Sequence, residues 1–471
     1  LGSILRHNIS LSAFLDETPS LKKHGKLVMR KNSKFTFLSI LVALVVFAGG
    51  TVFNLCQGKY EQRANAAENT TENNLTNPIE KSFLVGTEWP NEISYKNRSY
   101  KVEYNFDNTL MDYTKNLLKR YRSDYTTVTV IDNQTGKVLA AVGYQGKNNS
   151  FDKSLILTST HPSASLIKVV TAAELLQNTS VKKDTMFDFR GRSTTLFKYQ
   201  LNDSKGRAGK PQSFETAFAK SNNVIFGKAA IKNTNSENLV KMAESFGFNQ
   251  PIVKEFSFLK SEIKKANDDY EFAELASGFN IETMISPIHA ATLASVVAND
   301  GILKTPKVIS KIVDPKTGEN VWQEVNEEKR VISPETSHEL QDLMAMTIDG
   351  GTARKSFRQM RGGYKSALDI GGKTGHITGG TPFGKRDWFT VYATPRDKAE
   401  GKGISISVMN VNVKRWHVKS AVLAKSIIEY YFKNVQPIAL NNSDSEVKRL
   451  PSSTSKKKMS KRNSRGKKRK A

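Results

Sequence analysis

Residues 35–55, FTFLSILVALVVFAGGTVFNL, run for 21 positions without a charged side chain. At ~1.5 Å per residue a helix of that length rises about 30 Å, the hydrocarbon thickness of a bilayer. A buried core helix rarely stays uncharged for so long, so the run reads as a membrane-spanning helix. Lys22, Lys23, Lys26, Arg30, Lys31 and Lys34 crowd its N-terminal flank, and such a bias keeps that flank cytoplasmic. The stretch ANAA at 64–67 has the small residues of a cleavage site. The apolar run is too long, and that site too distant, for a secretory signal. Cys56 follows Leu55 rather than the small residue that lipoprotein processing expects. The expectation is an uncleaved single-pass anchor, with everything after residue 55 outside the cytoplasm.

This divides the chain into a basic cytoplasmic N-terminus (1–34), the transmembrane helix (35–55), a linker and juxtamembrane segment (56–104), a folded unit (105–436) and a basic, disordered tail (437–471). The formal net charge of +26 gathers at the ends: from Lys448 onward there are twelve Lys or Arg and no acid. A modestly basic body therefore carries two basic termini. Outside a membrane, such a tail faces anionic lipid, lipopolysaccharide or wall polymers, and no nucleic acid is expected; a solvated tail without a partner is the plainer alternative. The single cysteine excludes an internal disulfide and suits an oxidising compartment, and no Cys/His spacing suggests a metal.

Within the folded unit, NFDNTLMDYTKNLLKRYR has helical spacing, and TTVTVIDNQTGKVLAAVGY alternates on both sides of a turn, hence a hairpin. Leu166, Val169, Val170, Ala173 and Leu176 share one helical face. Helical patterns dominate to about residue 300. Strand patterns return in KVISKIVDPKTGENVW, DWFTVYAT and ISISVMNV, before a last helix in HVKSAVLAKSIIEYYFKN. Strands at both ends around a helical middle predict one α+β unit whose antiparallel sheet joins distant segments.

Lys-Thr-Gly occurs twice. Lys316-Thr317-Gly318 follows Asp314-Pro315 between strand patterns, which is turn chemistry: Pro sets the bend and Gly tolerates positive φ. Lys373-Thr374-Gly375 lacks those signals and precedes a strand it could pair with. On an edge strand it offers an ammonium and a hydroxyl, and its glycine admits a ligand close to the backbone. Ser165-x-x-Lys168 places an amine one helical turn from a serine, which needs a base because its hydroxyl is inert at neutral pH. That spacing recurs along the chain, at Ser20/Lys23, Ser257/Lys260 and Ser455/Lys458 among other places. Only Ser165 opens an apolar helix, where burial would lower the lysine pKa and backbone N–H groups would face the serine. Ser221-Asn222-Asn223 reads by itself as a helix N-cap.

Together, in this order, the three motifs resemble the set found in penicillin-binding proteins and class A β-lactamases. The resemblance to a penicillin-binding protein transpeptidase domain runs from about 105 to 436 and includes TVIDNQTGKVLAAVG, MISPIHAATLASVVANDGILKTP, GGTARKS and RDWFTVYAT. It implies the transpeptidase/serine β-lactamase-like fold, antiparallel sheet plus helical subdomain, and a membrane-anchored D,D-transpeptidase without cofactor or metal. By that resemblance Ser165 attacks peptidoglycan stem peptides ending in D-Ala-D-Ala and is acylated by β-lactams. Lys168 takes the serine proton, Lys373 holds Lys168 neutral and attracts the carboxylate, and Ser221 relays the proton to the leaving amine. Asn223 binds the substrate amide, Thr374 the carboxylate, and Gly375 keeps the strand accessible. The N–H groups of Ser165 and His376 form the oxyanion hole. His376 departs from the family, which usually has Thr or Ser there, where a hydroxyl helps hold the carboxylate.

The rivals are a D,D-carboxypeptidase or β-lactamase on the same scaffold and a non-catalytic β-lactam sensor or scaffold. The interval from Ser221 to Lys373 is longer than in class A β-lactamases and contains no Glu-x-x-Leu-Asn motif. Thirty-four cytoplasmic residues are too few for a signalling domain. The short stretch after residue 57 leaves no room for a glycosyltransferase module, so a partner would polymerise the glycan. The implied location is the bacterial inner membrane, with the catalytic domain on its outer, periplasmic side.

Overall fold

The computed structural model describes residues 78–202 and 209–440. The expected anchor at 35–55, its basic flank and the tail beyond 440 lie outside the described residues. Among the described residues no helix is long and apolar enough to cross a membrane.

The hairpin expected from alternating β-branched residues is present as β1 (Tyr125–Asp132) and β2 (Val138–Gln145). Asp132 Oδ1 accepts the Thr135 amide at 2.7 Å and Gly136 takes φ +76°, so the DNQTG residues close the turn themselves. A two-residue strand, β3 (Ser150–Phe151), extends this edge. The rest of the sheet comes from the far end of the sequence: β4 (Leu368–Gly379), β5 (Gly384–Pro395) and β6 (Ile404–Asn412). The order is β4-β5-β6-β1-β2-β3, every neighbour antiparallel, which leaves β4 on an edge.

Both faces of this sheet are covered. Helices α1 (Asn108–Tyr121) and, at the other end of the sequence, Ser420–Asn434 pack against Ile404, Ile406 and Val408. Among the helices between are α2 (Lys168–Asn178), α3 (Asn223–Asn233), α4 (Asp269–Ser277), α5 (Pro287–Ala298) and α6 (Pro334–Asp349), and the C-terminal one is α7. Met409 and Val411, one residue out of phase, face the core built around α2, α3 and α5. The α5 helix starts where its sequence says it should, with Ser286 accepting the His289 amide and Pro287 in the first turn. It is buried on all sides. Ser407 and Thr390 donate from the sheet to its Pro287 and Ala290 carbonyls, each at 2.6 Å.

One expectation needs correction. The segment 56–104 was expected as linker, yet its described part is folded. Residues 78–84 are helical, and Glu92–Tyr95 and Arg98–Tyr104 form a hairpin that pairs with Ile309–Val313 and, beyond it, Asn320–Gln323. Ile93, Tyr100 and Val102 are buried, and Lys96 and Asn97 take left-handed φ at the turn. The polar character of the hairpin's outer face hid this alternation in the sequence. The tip joining Ile309–Val313 to Asn320–Gln323 holds Lys316-Thr317-Gly318, exposed and with Gly318 at φ +74°, as the turn chemistry predicted.

Candidate active site

Ser165 lies on a short 3-10 turn, Ala164–Ile167, that leads into α2. The turn is pinned from three sides. Trp388 Nε1 donates to the Pro162 carbonyl at 2.9 Å, the Ser163 amide donates to the Thr283 carbonyl at 2.8 Å, and Gly278 packs against the Ala164 carbonyl. Ala164 itself takes φ +50°, a left-handed conformation that costs a non-glycine residue roughly 1–2 kcal/mol.

Lys168, the first residue of α2, is fully buried, and its Nζ has three neighbours. Ser165 Oγ is 2.9 Å away, Asn223 Oδ1 2.7 Å, and the Ser277 carbonyl completes the set. Asn223 Oδ1 and the Ser277 oxygen can only accept. A neutral amine has two N–H groups and one lone pair, so the two acceptors use the N–H groups and the lone pair is left facing the Ser165 hydroxyl. Burial, with the Lys373 charge as a lesser contribution, holds this amine well below the ordinary lysine pKa. The sequence reading expected both burial and Lys373 to lower it, and desolvation is the larger cause.

Lys373 is likewise fully buried, and burial pushes it down to about 7. Its Nζ donates to Ser221 Oγ and to the Thr374 carbonyl, both at 2.9 Å. Ser221 is not an N-cap. Asn222 is, accepting the Ile225 amide at 3.1 Å, while Ser221 ends the helix Phe214–Lys220 with φ +57° and ψ +47°. That left-handed kink lies between two helices and brings the Ser221 hydroxyl to Lys373. Asn223 Nδ2 also donates to the Thr194 carbonyl at 3.2 Å, so the side chain is fixed at both ends.

Gly375 does something other than admit a ligand. A Cβ there would lie 3.2 Å from Ala164 Cβ and 3.3 Å from Trp388 Cβ. Its absence lets β4 press against the Ala164–Ile167 turn, bringing the edge strand alongside Ser165. Thr374 Oγ1 meets Thr352 Oγ1 at 2.6 Å, a contact the sequence reading missed although it had noted GGTARKS. Also unforeseen is Asp387, opposite His376 in the β4–β5 register, with Oδ1 2.8 Å from His376 Nε2. The structure thus gathers two hydrogen-bonded groups, Ser165 and Asn223 around Lys168 and Ser221 and Thr374 around Lys373, with the Lys373 charge acting on Lys168 between them and Gly375 and His376 next along the strand. Lys316 is not part of it. Among the described residues no cluster of His, Cys, Asp or Glu is placed to hold a metal ion. A cavity of about 290 Å³ lies at the start of β4, lined by Leu368, Ile370 and Tyr392, away from these residues.

Residues 126–429 match the family described as penicillin binding protein transpeptidase domain. The chain belongs to that family. Among curated relatives it is similar to the peptidoglycan D,D-transpeptidase PbpA of Mycolicibacterium smegmatis, 24% identical over 305 residues covering 58% of this chain and 59% of the relative. It is also similar to the stage V sporulation protein D of Bacillus subtilis, 25% identical over 277 residues covering 54% of this chain and 40% of the relative. The chain thus spans about half the length of these relatives. Among solved structures, PBPA from Mycobacterium tuberculosis aligns with TM-score 0.55 and 20% identity, over 70% of this chain and 82% of that one. Penicillin-binding protein 3 from the same organism, complexed with aztreonam, aligns with TM-score 0.59 and 18% identity, over 75% and 83%. At those identities the structural likeness speaks for the fold: α+β, with antiparallel sheets.

Proposed function

We propose that this penicillin-binding protein is a D,D-transpeptidase that cross-links peptidoglycan stem peptides through an acyl-enzyme on Ser165. The observation that carries the reading is the hydrogen-bond geometry at Lys168, whose acceptors Asn223 Oδ1 and Ser277 O leave a lone pair for Ser165.

In this reading the neutral Lys168 takes the Ser165 proton as Oγ bonds to the carbonyl carbon of the penultimate D-alanine. The N–H groups of Ser165 and His376 hold the oxyanion of the tetrahedral intermediate. The C–N bond then breaks, and the amine of the terminal D-alanine leaves with a proton passed through the Ser221 hydroxyl, which Lys373 orients. The Thr374 hydroxyl and the Lys373 charge receive the substrate carboxylate, and the second N–H of Asn223 Nδ2 is available to the peptide. A second stem-peptide amine attacks the acyl-enzyme to give the cross-link. A β-lactam would acylate Ser165 by the same steps, its ring nitrogen taking the place of the leaving amine.

The proposed setting follows from the sequence. The 35–55 run anchors the chain in the inner membrane, the folded unit lies outside the cytoplasm, and a separate partner polymerises the glycan. The test is incubation of the full chain with stem peptides ending in D-Ala-D-Ala, read by mass spectrometry. Cross-linked dimers support the reading. Trimmed monomers alone would make the protein a carboxypeptidase. No turnover, with stable labelling by penicillin, would make it a sensor or scaffold.

A further inference from the structure

Lys168 and Lys373 are both fully buried, yet among the described residues no carboxylate lies within ion-pair distance of either Nζ. An ammonium in such a place is costly to hold without a counter-charge. The charged side chains on the enclosing elements are engaged elsewhere. Glu174 on α2 accepts from Asn178 and Thr234, and Glu274 on α4 faces Tyr270. Asp342 on α6 pairs with Lys183, Asp369 on β4 with Arg396, and Lys220 donates to the Gly350 carbonyl. The charge that acts on Lys168 is that of Lys373.

What each lysine does face is a phenyl ring. Lys373 Nζ stands over the Phe218 ring, 5.5 Å from its centroid, and Lys168 Nζ over the Phe226 ring at 5.3 Å. Both rings are fully buried, with centroids 6.2 Å apart. The face of a phenyl ring is negative and attracts an ammonium, most strongly where water is excluded. One stretch of chain supplies everything. Phe218 lies three residues before Ser221, whose hydroxyl meets Lys373, and Phe226 three residues after Asn223, whose carbonyl meets Lys168. Each ring is thus one helical turn from the polar partner of the same lysine, on either side of the kink at Ser221.

We propose that Phe218 and Phe226 are positioning residues whose ring faces stand where a counter-ion would. Phe218 holds the Lys373 ammonium that receives the substrate carboxylate. Phe226 holds the ammonium that forms on Lys168 when it takes the Ser165 proton. A carboxylate at this distance would favour the charged form by about 1–3 pH units and keep the proton on Lys168. A ring attracts less, so it eases the arriving charge without making it permanent. The proposal rests on the acyl-transfer reading.

The test places mono-, di- and trifluorinated phenylalanine at each position, which drains the ring face of negative charge with little change of shape. Benzylpenicillin acylation is then followed across pH. At position 218 the alkaline limb should move to lower pH with each fluorine, by about 0.5–1 unit in total. The same series in Lys373→Ala should move nothing. At position 226 that limb should stay, and the rate should fall stepwise, by about threefold to tenfold in total. A limb unmoved at 218 with a rate unmoved at 226 would overturn the ring contacts and leave the acyl-transfer reading in place. So would a rate that falls alike at both positions with no shift, since the rings would then only fill space. Absence of acylation in the wild type would overturn both.

Discussion

Lys168 Nζ lies 2.9 Å from Ser165 Oγ and is wholly shut off from solvent. In the proposed reaction Lys168 serves as the base only while it is neutral, and the neighbouring Lys373, lowered to about 7, receives the substrate carboxylate only while it is charged. Acylation should therefore follow a bell-shaped pH profile. The acid limb rises as Lys168 loses its proton, well below the usual lysine range, and the alkaline limb falls as Lys373 loses its own from about pH 7 upward. Stopped-flow acylation rates between pH 5 and 10 (about the range that brackets both groups) check this. In Lys373→Ala the alkaline limb should vanish. The acid limb should move upward, though not to an ordinary lysine value, because burial remains.

The two Lys-Thr-Gly tripeptides should respond oppositely to the same substitution. Lys316→Ala removes an exposed side chain at a hairpin tip and should change stability by no more than about 0.5 kcal/mol and leave acylation at the wild-type rate. Lys373→Ala should slow acylation by on the order of 10²–10³, the cost of one preorganised charged group. Acylation rates and circular dichroism on both variants decide it, and equal rates would remove the site from β4.

Thr352 should matter to binding more than to chemistry. Its hydroxyl holds Thr374 Oγ1 at 2.6 Å without reaching the nucleophile. Thr352→Val should cost about 1 kcal/mol, or roughly fivefold, in the apparent affinity for benzylpenicillin. The first-order acylation step should change little. Saturation kinetics separate the two, and a loss confined to the first-order step would contradict the assignment.

At Ser221 the backbone and the hydroxyl should pull apart. The residue sits at φ +57°, which glycine adopts without strain. Ser221→Gly should keep or raise thermal stability, by up to about 1 kcal/mol, while slowing acylation by about 10²–10⁴ through loss of the proton relay. Thermal unfolding beside acylation rates tests this, and a variant both inactive and unstable would mean that the hydroxyl mainly holds the fold.

Much of this was legible in the sequence, for identifiable reasons. The hairpin Tyr125–Gln145, α5 with its Ser-Pro start and the edge strand Leu368–Gly379 are each specified by local pattern, and the local pattern agrees with the fold. The contacts at Thr352 and Asp387 were not legible, because they depend on register: Asp387 faces His376 only once β4 and β5 pair residue by residue. At Ser221 the local pattern was ambiguous, since Ser-Asn-Asn suits a helix cap and Asn222 does make it; only the family resemblance singled out the serine. Gly375 was read as an opening for substrate, whereas its nearest neighbours are Ala164 and Trp388. The hairpin at Glu92–Tyr104 was lost in a polar stretch because only alternate residues, Ile93, Tyr100 and Val102 among them, are buried.

The order of strands in the sheet also sets a timetable for the ribosome. Strand β1 is made early, but its neighbour β6 arrives near the end: Thr126 and Asn410, whose side chains share a 2.7 Å hydrogen bond, stand 284 positions apart. Through that interval the nascent chain carries one side of a β-branched strand with its hydrogen-bonding groups unclaimed, a surface prone to pairing with the wrong partner. The Ser165–Lys168 pair is likewise synthesised long before Lys373. Penicillin reactivity should therefore switch on late and all at once, so that labelling of stalled nascent chains would report how nearly complete they are.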